Sequence, residues 1–284
     1  MKTYFITSDI HSFYTPFIEA LNNSGFDLNN KEHILIIAGD LMDRGSETIK
    51  LLKFIKSLPK DRRILIKGNH EDLLIDCFNR KQFLEHDIHN GTNLTIHSLV
   101  NLTMDKNKYC HSIELYADNK NLFFDCLAKT GIIEWINSDE WLDYLETDNY
   151  IITHSFIPVI NKVFFSPGGR VDKNDINYMF EYDKDWRNAS SQSWKCARWF
   201  NAYDMIQSGL FKENKKLICG HISSLIYKNE SGQLKLFNYD KDTFKKYYTP
   251  FENNNMICLD ACTALSNKVN VLKLTEEELG EVIK

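Results

Sequence analysis

Ile34-Leu35-Ile36-Ile37-Ala38-Gly39-Asp40-Leu41-Met42-Asp43-Arg44-Gly45 and, further on, Ile64-Leu65-Ile66-Lys67-Gly68-Asn69-His70-Glu71 are the stretches that decide the fold. In each, a short apolar run ends near a glycine, polar residues follow, and helical periodicity takes over. Side chains of the metal-ligating kind therefore stand where a strand gives way to a loop. In open α/β sheets that edge is where sites are built. The start of the chain repeats the pattern, with Tyr4-Phe5-Ile6 leading into Ser8-Asp9-Ile10-His11.

Outward from these stretches, the first eighty residues or so alternate strand and helix. Lys2 to Ser8, His33 to Gly39 and Arg62 to Lys67 read as strands, apolar enough to be buried on both faces. Phe13 to Asn23 places Phe13, Phe17, Ile18 and Leu21 at helical spacing, with Pro16 in the first turn and Asn22-Asn23-Ser24-Gly25 as the stop. Ser46 is the expected N-cap of a helix carrying Ile49, Leu51, Leu52, Phe54 and Ile55, which Pro59-Lys60-Asp61 breaks. Glu71 to Asn79 is helical again. The alternation predicts a parallel sheet with covering helices.

From about 82 to 148 the composition shifts to Asn, Lys, Asp and aromatics, with weak helical periodicity at Leu94 to Leu102, Asn121 to Ala128 and Asp139 to Leu145. This reads as a helical insertion in a single domain spanning residues 1–284. It either overhangs the strand ends and selects substrate or forms a solvated layer closing the back of a sheet. Tyr150 to His154 is the next strand, Ser166-Pro167-Gly168-Gly169 a turn, and Ser190 to Gln207 one amphipathic helix ended by Gly209. Lys216 to Cys219, Ser224 to Lys228, Lys235 to Asn238, Met256 to Leu259 and Val269 to Leu274 read as short strands of a second, partly antiparallel sheet. Thr275-Glu276-Glu277-Glu278 opens a final short helix by a capping pattern. Pattern alone supports an α/β part followed by a β-rich part.

The net charge of −5 supplies no global basic field, so neither nucleic acid nor a membrane surface is an expected partner. No apolar stretch approaches the length of a membrane span, and the chain enters a strand almost at once, without a signal-peptide pattern. Cysteines 77, 110, 126, 196, 219, 258 and 262 are scattered, without a C-x-x-C pair. They read as reduced, mostly buried thiols of a cytoplasmic protein.

Asp9-Ile10-His11, Gly39-Asp40-x-x-Asp43-Arg44-Gly45 and Gly68-Asn69-His70-Glu71, in that order, resemble the calcineurin-like metallophosphoesterases. The likeness is strongest to the bacterial and phage serine/threonine protein phosphatases, with the diadenosine tetraphosphatases beside them. His154 after Tyr150-Ile151-Ile152, Gly220-His221 after Leu217-Ile218-Cys219, and Ile257-Cys258-Leu259-Asp260 extend it to nearly the whole chain. Asn90-Gly91-Thr92 and Trp141-Leu142-x-x-Leu145 resemble elements of the bacterial phosphatase branch. The resemblance implies a four-layer α-β-β-α sandwich. It also implies two divalent metal ions, Mn²⁺ foremost with Fe²⁺ or Zn²⁺ as alternatives. Asp9, His11 and Asp40 would hold one ion, and Asp40 would bridge to another held by Asn69, His154 and His221. A carboxylate suits the bridge because it can give one oxygen to each ion. Ions roughly 3.5–4 Å apart would share a water, lower its pKa and aim the resulting bridging hydroxide in line at phosphorus.

By the same resemblance His70 is the general acid, oriented by Asp43. A carboxylate on one imidazole nitrogen fixes the tautomer and raises the pKa. Arg44 offers a planar fork to phosphate, with Asn69 and a second arginine beside it. Trp194-Lys195-Cys196-Ala197-Arg198-Trp199 points to Arg198 for that role, with Arg170 as competitor. Blander readings stand alongside. Asp9 and His11 alone would be a turn and a surface histidine, Asp43 with Arg44 a surface ion pair, and His154 and His221 core histidines. Arg198 could merely stack on Trp194 or Trp199. Glu71 reads as a first-turn helix residue. Ser12, Ser155, the Ile222-Ser223 pair and Ala261 depart from the family pattern without removing a ligand. Ser223 stands where many diesterases have a second histidine. The main implication is a phosphomonoester hydrolase of the serine/threonine phosphatase kind. The alternative is a dinucleoside polyphosphate hydrolase, and a third reading is a metal-bound binding module without turnover. The substrate would be a phosphoprotein or a nucleotide.

Overall fold

The computed structural model describes residues 1–164, 168–169, 171–233 and 247–283. Along β1 (Thr3–Thr7) and β2 (His33–Ala38) successive side chains point to opposite faces. Phe5, Leu35 and Ile37 enter a core beneath helices, whereas Tyr4, Ile6, Ile34, Ile36 and Ala38 face the other way. There they meet Leu145, Ile152, Ile218 and Ile257 from a second sheet. Strands apolar on both faces, as the sequence reads them, are thus sandwiched between a helical layer and another sheet.

In the first sheet the order is β12-β1-β2-β3-β4, with β3 (Arg63–Ile66) and β4 (Trp141–Leu142) continuing the parallel set and β12 (Leu272–Thr275) antiparallel at the edge. The second sheet runs β10-β11-β9-β6-β5. Its β11 (Met256–Cys258), β9 (Lys216–Cys219) and β6 (Tyr150–Thr153) are parallel, and β10 (Phe251–Glu252) and β5 (Tyr144–Glu146) are antiparallel edges. A separate pair is formed by β7 (Val159–Asn161) and β8 (Phe180–Tyr182).

Helices α1 (Tyr14–Ser24), α2 (Thr48–Ser57) and α3 (Asn69–Arg80) share the outer core of the first sheet with those of the 85–136 region. These are α4 (Glu85–His89), α5 (Thr92–Val100), α6 (Ser112–Asp118), α7 (Lys120–Ala128) and α8 (Ile132–Ile136). On the outer face of the second sheet, Ile151, Leu217, Cys219, Met256 and Cys258 pack against Trp194, Ala197, Met205 and Tyr227. The result is the four-layer α-β-β-α arrangement. Among the described residues no helix is long and apolar enough to cross a membrane.

Several local expectations are corrected. Asp139 to Leu145 is not helical: Trp141 and Leu142 pair with Leu65 and Ile66, and Tyr144 begins the strand beside β6. The helical region therefore ends at Ile136, and the chain crosses from one sheet to the other at Asp143. Ser224–Glu230 is a helix, capped by the Ser223 side chain, and not a strand. In so short an apolar run, periodicity cannot separate the two. Ser190 to Gln207 is two helices, Ser191–Ala197 and Ala202–Gln207, because Asn201 caps the second with its side chain. At α2 the N-cap is Glu47 and not Ser46. The expected strand Lys235 to Asn238 lies outside the described residues, as do Ser166 and Pro167 of the expected turn.

Ile36 is fully buried between the sheets. Ile36→Ala should cost about 2–5 kcal/mol of stability through lost burial and a residual cavity. Ile226→Ala, at an exposed position, should stay within about 0.5 kcal/mol. Denaturant titration of both variants checks the contrast.

Candidate metal centre

The parallel strands of both sheets end on one rim. Asp9 and His11 follow β1, Asp40 and Asp43 follow β2, and Asn69 and His70 open α3 behind β3. His154 follows β6, His221 follows β9, and Asp260 follows β11. The loops stay stitched after the strands end: Asp9 N–H donates to Gly39 O at 3.1 Å, His11 N–H to Asp40 O at 3.0 Å, and Gly220 N–H to His154 O at 2.8 Å. To turn each side chain inward, Asp9, His11, Asp40, Asp43, Arg44 and His221 all adopt positive φ. For residues with a Cβ that conformation is strained and clusters at functional sites. Glycine is needed where backbones crowd. A Cβ on Gly39 would run into the His154 ring, and one on Gly220 into the Asp9 carboxylate.

Asp40 is the hub. Its Oδ2 lies 3.6 Å from His11 Nε2 and 3.8 Å from His70 Nε2, and its Oδ1 lies 3.4 Å from His154 Nε2. Ligand atoms of His11, Asp40 and His70 lie within 4.8 Å of one another, as do those of Asp40, His154 and His221. Asp9 approaches His11 Nε2 at 3.9 Å and accepts from the His221 backbone N–H at 3.0 Å. Asn69 Oδ1 is 2.8 Å from His154 Nε2.

The protonation of these rings tests whether the set suits a metal. Burial drives His11, His70 and His154 well below the usual imidazole range and His221 down to about 3. A neutral ring has one N–H. His154 Nδ1 spends it on Ala38 O at 3.0 Å, and His11 Nδ1 on Met42 O at 3.0 Å. Each Nε2 is then a lone pair facing oxygen: Asn69 and Asp40 for His154, Asp9 and Asp40 for His11. Acceptor facing acceptor is repulsive unless a cation lies between them. A backbone carbonyl on the far nitrogen is also how metal-binding histidines are oriented. Burial, with repulsion from neighbouring carboxylates, raises Asp9 and Asp40 well above the usual range. A divalent ion relieves both strains. The donors are oxygen and imidazole nitrogen, with no thiolate, which suits hard or borderline ions.

His70 is held differently. Its Nδ1 donates to Asp43 Oδ2 at 2.8 Å, and its Nε2 faces Arg44 Nη2 at 3.2 Å. Asp43 is fully buried and pushed up to about 7 by desolvation, although the Thr92 and Thr95 hydroxyls pull it back. Arg44 is exposed, with its guanidinium at the mouth of the site. Glu71 is a first-turn residue, as its position suggests, and more besides. Its carboxylate accepts from the backbone N–H groups of Asp40, Leu41 and Gly68, tying two of the loops together. Thr92, Thr95 and Thr263, whose hydroxyl donates to Asp9 O at 2.7 Å, are further site neighbours that the sequence reading passed over. Only Asn90-Gly91-Thr92 carried a signal.

Arg198 is corrected. Its guanidinium is buried and bonded to Asp72 at 2.7 Å, to Asp143, and to Lys67 O at 3.1 Å. It anchors the crossing between the sheets and presents no free edge to phosphate. Arg170 lies outside the described residues. Beside Asn69 opens a cavity of about 730 Å³, lined among others by Leu73, Asp76, Arg80, Lys195 and Trp199. Lys195, one turn before Trp199, faces it paired with Asp76 at 2.9 Å.

The family model for calcineurin-like phosphoesterases matches residues 2–247, and the chain belongs to that family. A symmetrical bis(5'-nucleosyl)-tetraphosphatase of Buchnera aphidicola is 48% identical over 75 residues, which is 26% of each chain. An asymmetrical bis(5'-nucleosyl)-tetraphosphatase of Bacillus velezensis is 31% identical over 74 residues, 24% of this chain and 30% of that one. The chain thus spans about a quarter of the length of the curated relatives it matches. A solved serine/threonine phosphatase of Saccharomyces cerevisiae covers 96% of this chain and 79% of its own at 12% identity, with a TM-score of 0.45.

Calorimetric titration with Mn²⁺ should show two bound ions per chain. Asp40→Asn, which removes the charge shared by both clusters, should weaken both sites by at least about tenfold, the scale on which even outer-shell changes act. Gly220→Ala should weaken binding too, by displacing Asp9.

Proposed function

We propose that this chain is a metal-dependent phosphoesterase whose substrate is a dinucleoside polyphosphate. The observation that carries the chemistry is the pair of imidazole lone pairs, on His11 and His154, converging with Asp9 and Asn69 on the two oxygens of Asp40. Asp9, His11, Asp40, Asn69, His154 and His221 would hold two divalent ions. When bound, such ions polarise a phosphoryl oxygen and activate water.

The chain's own groups do the rest. Arg44, exposed at the mouth, offers two N–H groups to a phosphate oxygen and screens its charge. His70 Nε2 stands on the same side as Arg44. Burial keeps the free ring neutral, so the ring takes up a proton as the negatively charged phosphate binds and then hands the Nε2 proton to the leaving oxygen. Asp43 keeps the opposite nitrogen engaged, so the ring presents that edge and no other. Burial of His70 and Asp43 keeps bulk water from the transfer path.

The names of the relatives, symmetrical and asymmetrical tetraphosphatases, support the dinucleoside reading over the protein-phosphatase one. The cavity beside Asn69 supports it as well. Its charged walls are already paired, Lys195 with Asp76 and Arg80 with Asp87, and Trp199 offers an aromatic face. A neutral, flat nucleoside suits such walls, and stacking of a base on an aromatic ring is favourable. One observation favours phosphomonoesters instead: Ser223 caps the helix after His221 and adds no ligand where many diesterases have one.

In Mn²⁺ the intact chain should release product from diadenosine tetraphosphate well above its rate on a phosphoserine peptide. His70→Asn should lower kcat by about 10²–10⁴-fold, the usual weight of acid–base catalysis. Asp40→Asn should be inert. A peptide rate above the dinucleotide rate would select the phosphatase reading, and folded, metal-loaded protein inert on both would remove the enzyme reading.

A further inference from the structure

The Asp43–Arg44 turn is held from outside the sheets, by the first turn of α5 in the helical region. Thr92 Oγ1 donates to Asp43 Oδ2 at 2.6 Å, the same oxygen that receives His70 Nδ1–H at 2.8 Å. Thr95 Oγ1, one position short of a full turn further on, accepts the Asp43 backbone N–H at 3.0 Å. Gly91 backs onto Arg44, where a Cβ would stand 2.5 Å from the Arg44 nitrogen. Thr92, Thr95 and Asp43 are fully buried. Asp43 and Arg44 both have positive φ, so the turn does not hold itself in a relaxed conformation.

We propose that Thr92 is a positioning residue for proton delivery by His70, and that α5 thereby couples the helical region to the reaction. The two threonines act together on Asp43. Thr95 Oγ1 takes the backbone N–H of the turn and stands beside the carboxyl, whereas Thr92 donates the short bond to the oxygen that His70 uses. Asp43 Oδ1 is buried without a hydrogen-bond partner, so the orientation of the carboxyl plane depends chiefly on what Oδ2 receives. Without the Thr92 hydroxyl the Oδ2 side of the carboxylate loses one of its two donors, and the bond to Nδ1 loosens. The His70 ring then loses the fixed tilt that aims Nε2 at the leaving oxygen. The arrangement also gives the Asn90-Gly91-Thr92 segment one purpose: glycine for close approach to Arg44, threonine for the bond to Asp43.

The test rests on the phosphoesterase reading and separates from it by leaving group. Proton delivery matters for phenyl phosphate, a poor leaving group, and little for 2,4-dinitrophenyl phosphate. For Thr92→Val the ratio of kcat on the first to kcat on the second should fall about tenfold, part of the range that general acid catalysis spans, with both KM values nearly unchanged. Thr92→Ser, which restores the hydroxyl, should bring the ratio back, and bound metal should be the same in all three proteins. Equal loss on both substrates, or a serine variant no better than valine, would overturn the proposal. Where valine does not fold, Thr92→Ala serves in its place. If the intact protein hydrolyses neither ester, the positioning claim is read by proton NMR, and the hydrolase reading by the dinucleotide assay above. A downfield His70 Nδ1–H signal present in the intact protein and lost without the hydroxyl supports it, and a signal that persists overturns it.

Discussion

Imidazole lone pairs aimed at the oxygens of Asp40 set the terms for the rest of this structure. His11 and His154 reach the carboxylate from different sheets, each with its other nitrogen bonded to a backbone carbonyl. With Asp40 ionised that meeting is unfavourable, since buried acceptors facing one another gain no hydrogen bond and forfeit hydration. The arrangement is intelligible as a cradle for cations. It also explains why burial pushes the carboxylates up and the imidazoles down at the same rim.

Such a cradle is unfavourable to build, and the fold shows where the offsetting energy lies. Six site residues take positive φ, on the order of 1–3 kcal/mol each where such strain is uncompensated. The inter-sheet core holds the strand ends in place from below, and Glu71 holds them from above by accepting three backbone N–H groups. Glycines at 39 and 220 let the backbones come close enough for ligands from both sheets to meet.

Arg198 and α5 show two ways in which residues outside the rim serve it. Arg198 spends its guanidinium on Asp72 and Asp143, joining α3, whose first turn carries Asn69 and His70, to the point where the chain changes sheets. Next to it, between the Ser191–Ala197 and Ala202–Gln207 helices, Trp199 stands beside His221, ring centroids 5.8 Å apart. On the other flank, Gly91, Thr92 and Thr95 grip the strained Asp43–Arg44 turn. The helical region therefore backs the first sheet and also reaches the site. It touches the candidate proton donor through one carboxylate.

Much of this was legible in the sequence, because its decisive features are local. A buried strand must be apolar, and a strand end must turn. The parallel sheet and its covering helices follow from runs of a few residues each, and Asp9, His11, Asp40, Asn69, His154 and His221, singled out by the resemblance to the phosphoesterases, come to one rim in the fold. What the sequence left undecided depended on partners far along the chain. An apolar run as short as Leu225-Ile226-Tyr227 fits strand or helix until neighbours choose. Trp141 and Leu142 became a strand because the edge of β3 was open to them. Arg198 looked free for phosphate, but Asp72 and Asp143, far off in sequence, claim it. Thr92 was one polar residue among many until folding set it against Asp43. Sequence determines which groups can do chemistry. Only tertiary structure decides which of them are left unpaired to do it, because hydrogen bonds and ion pairs are satisfied by proximity in space and not along the chain.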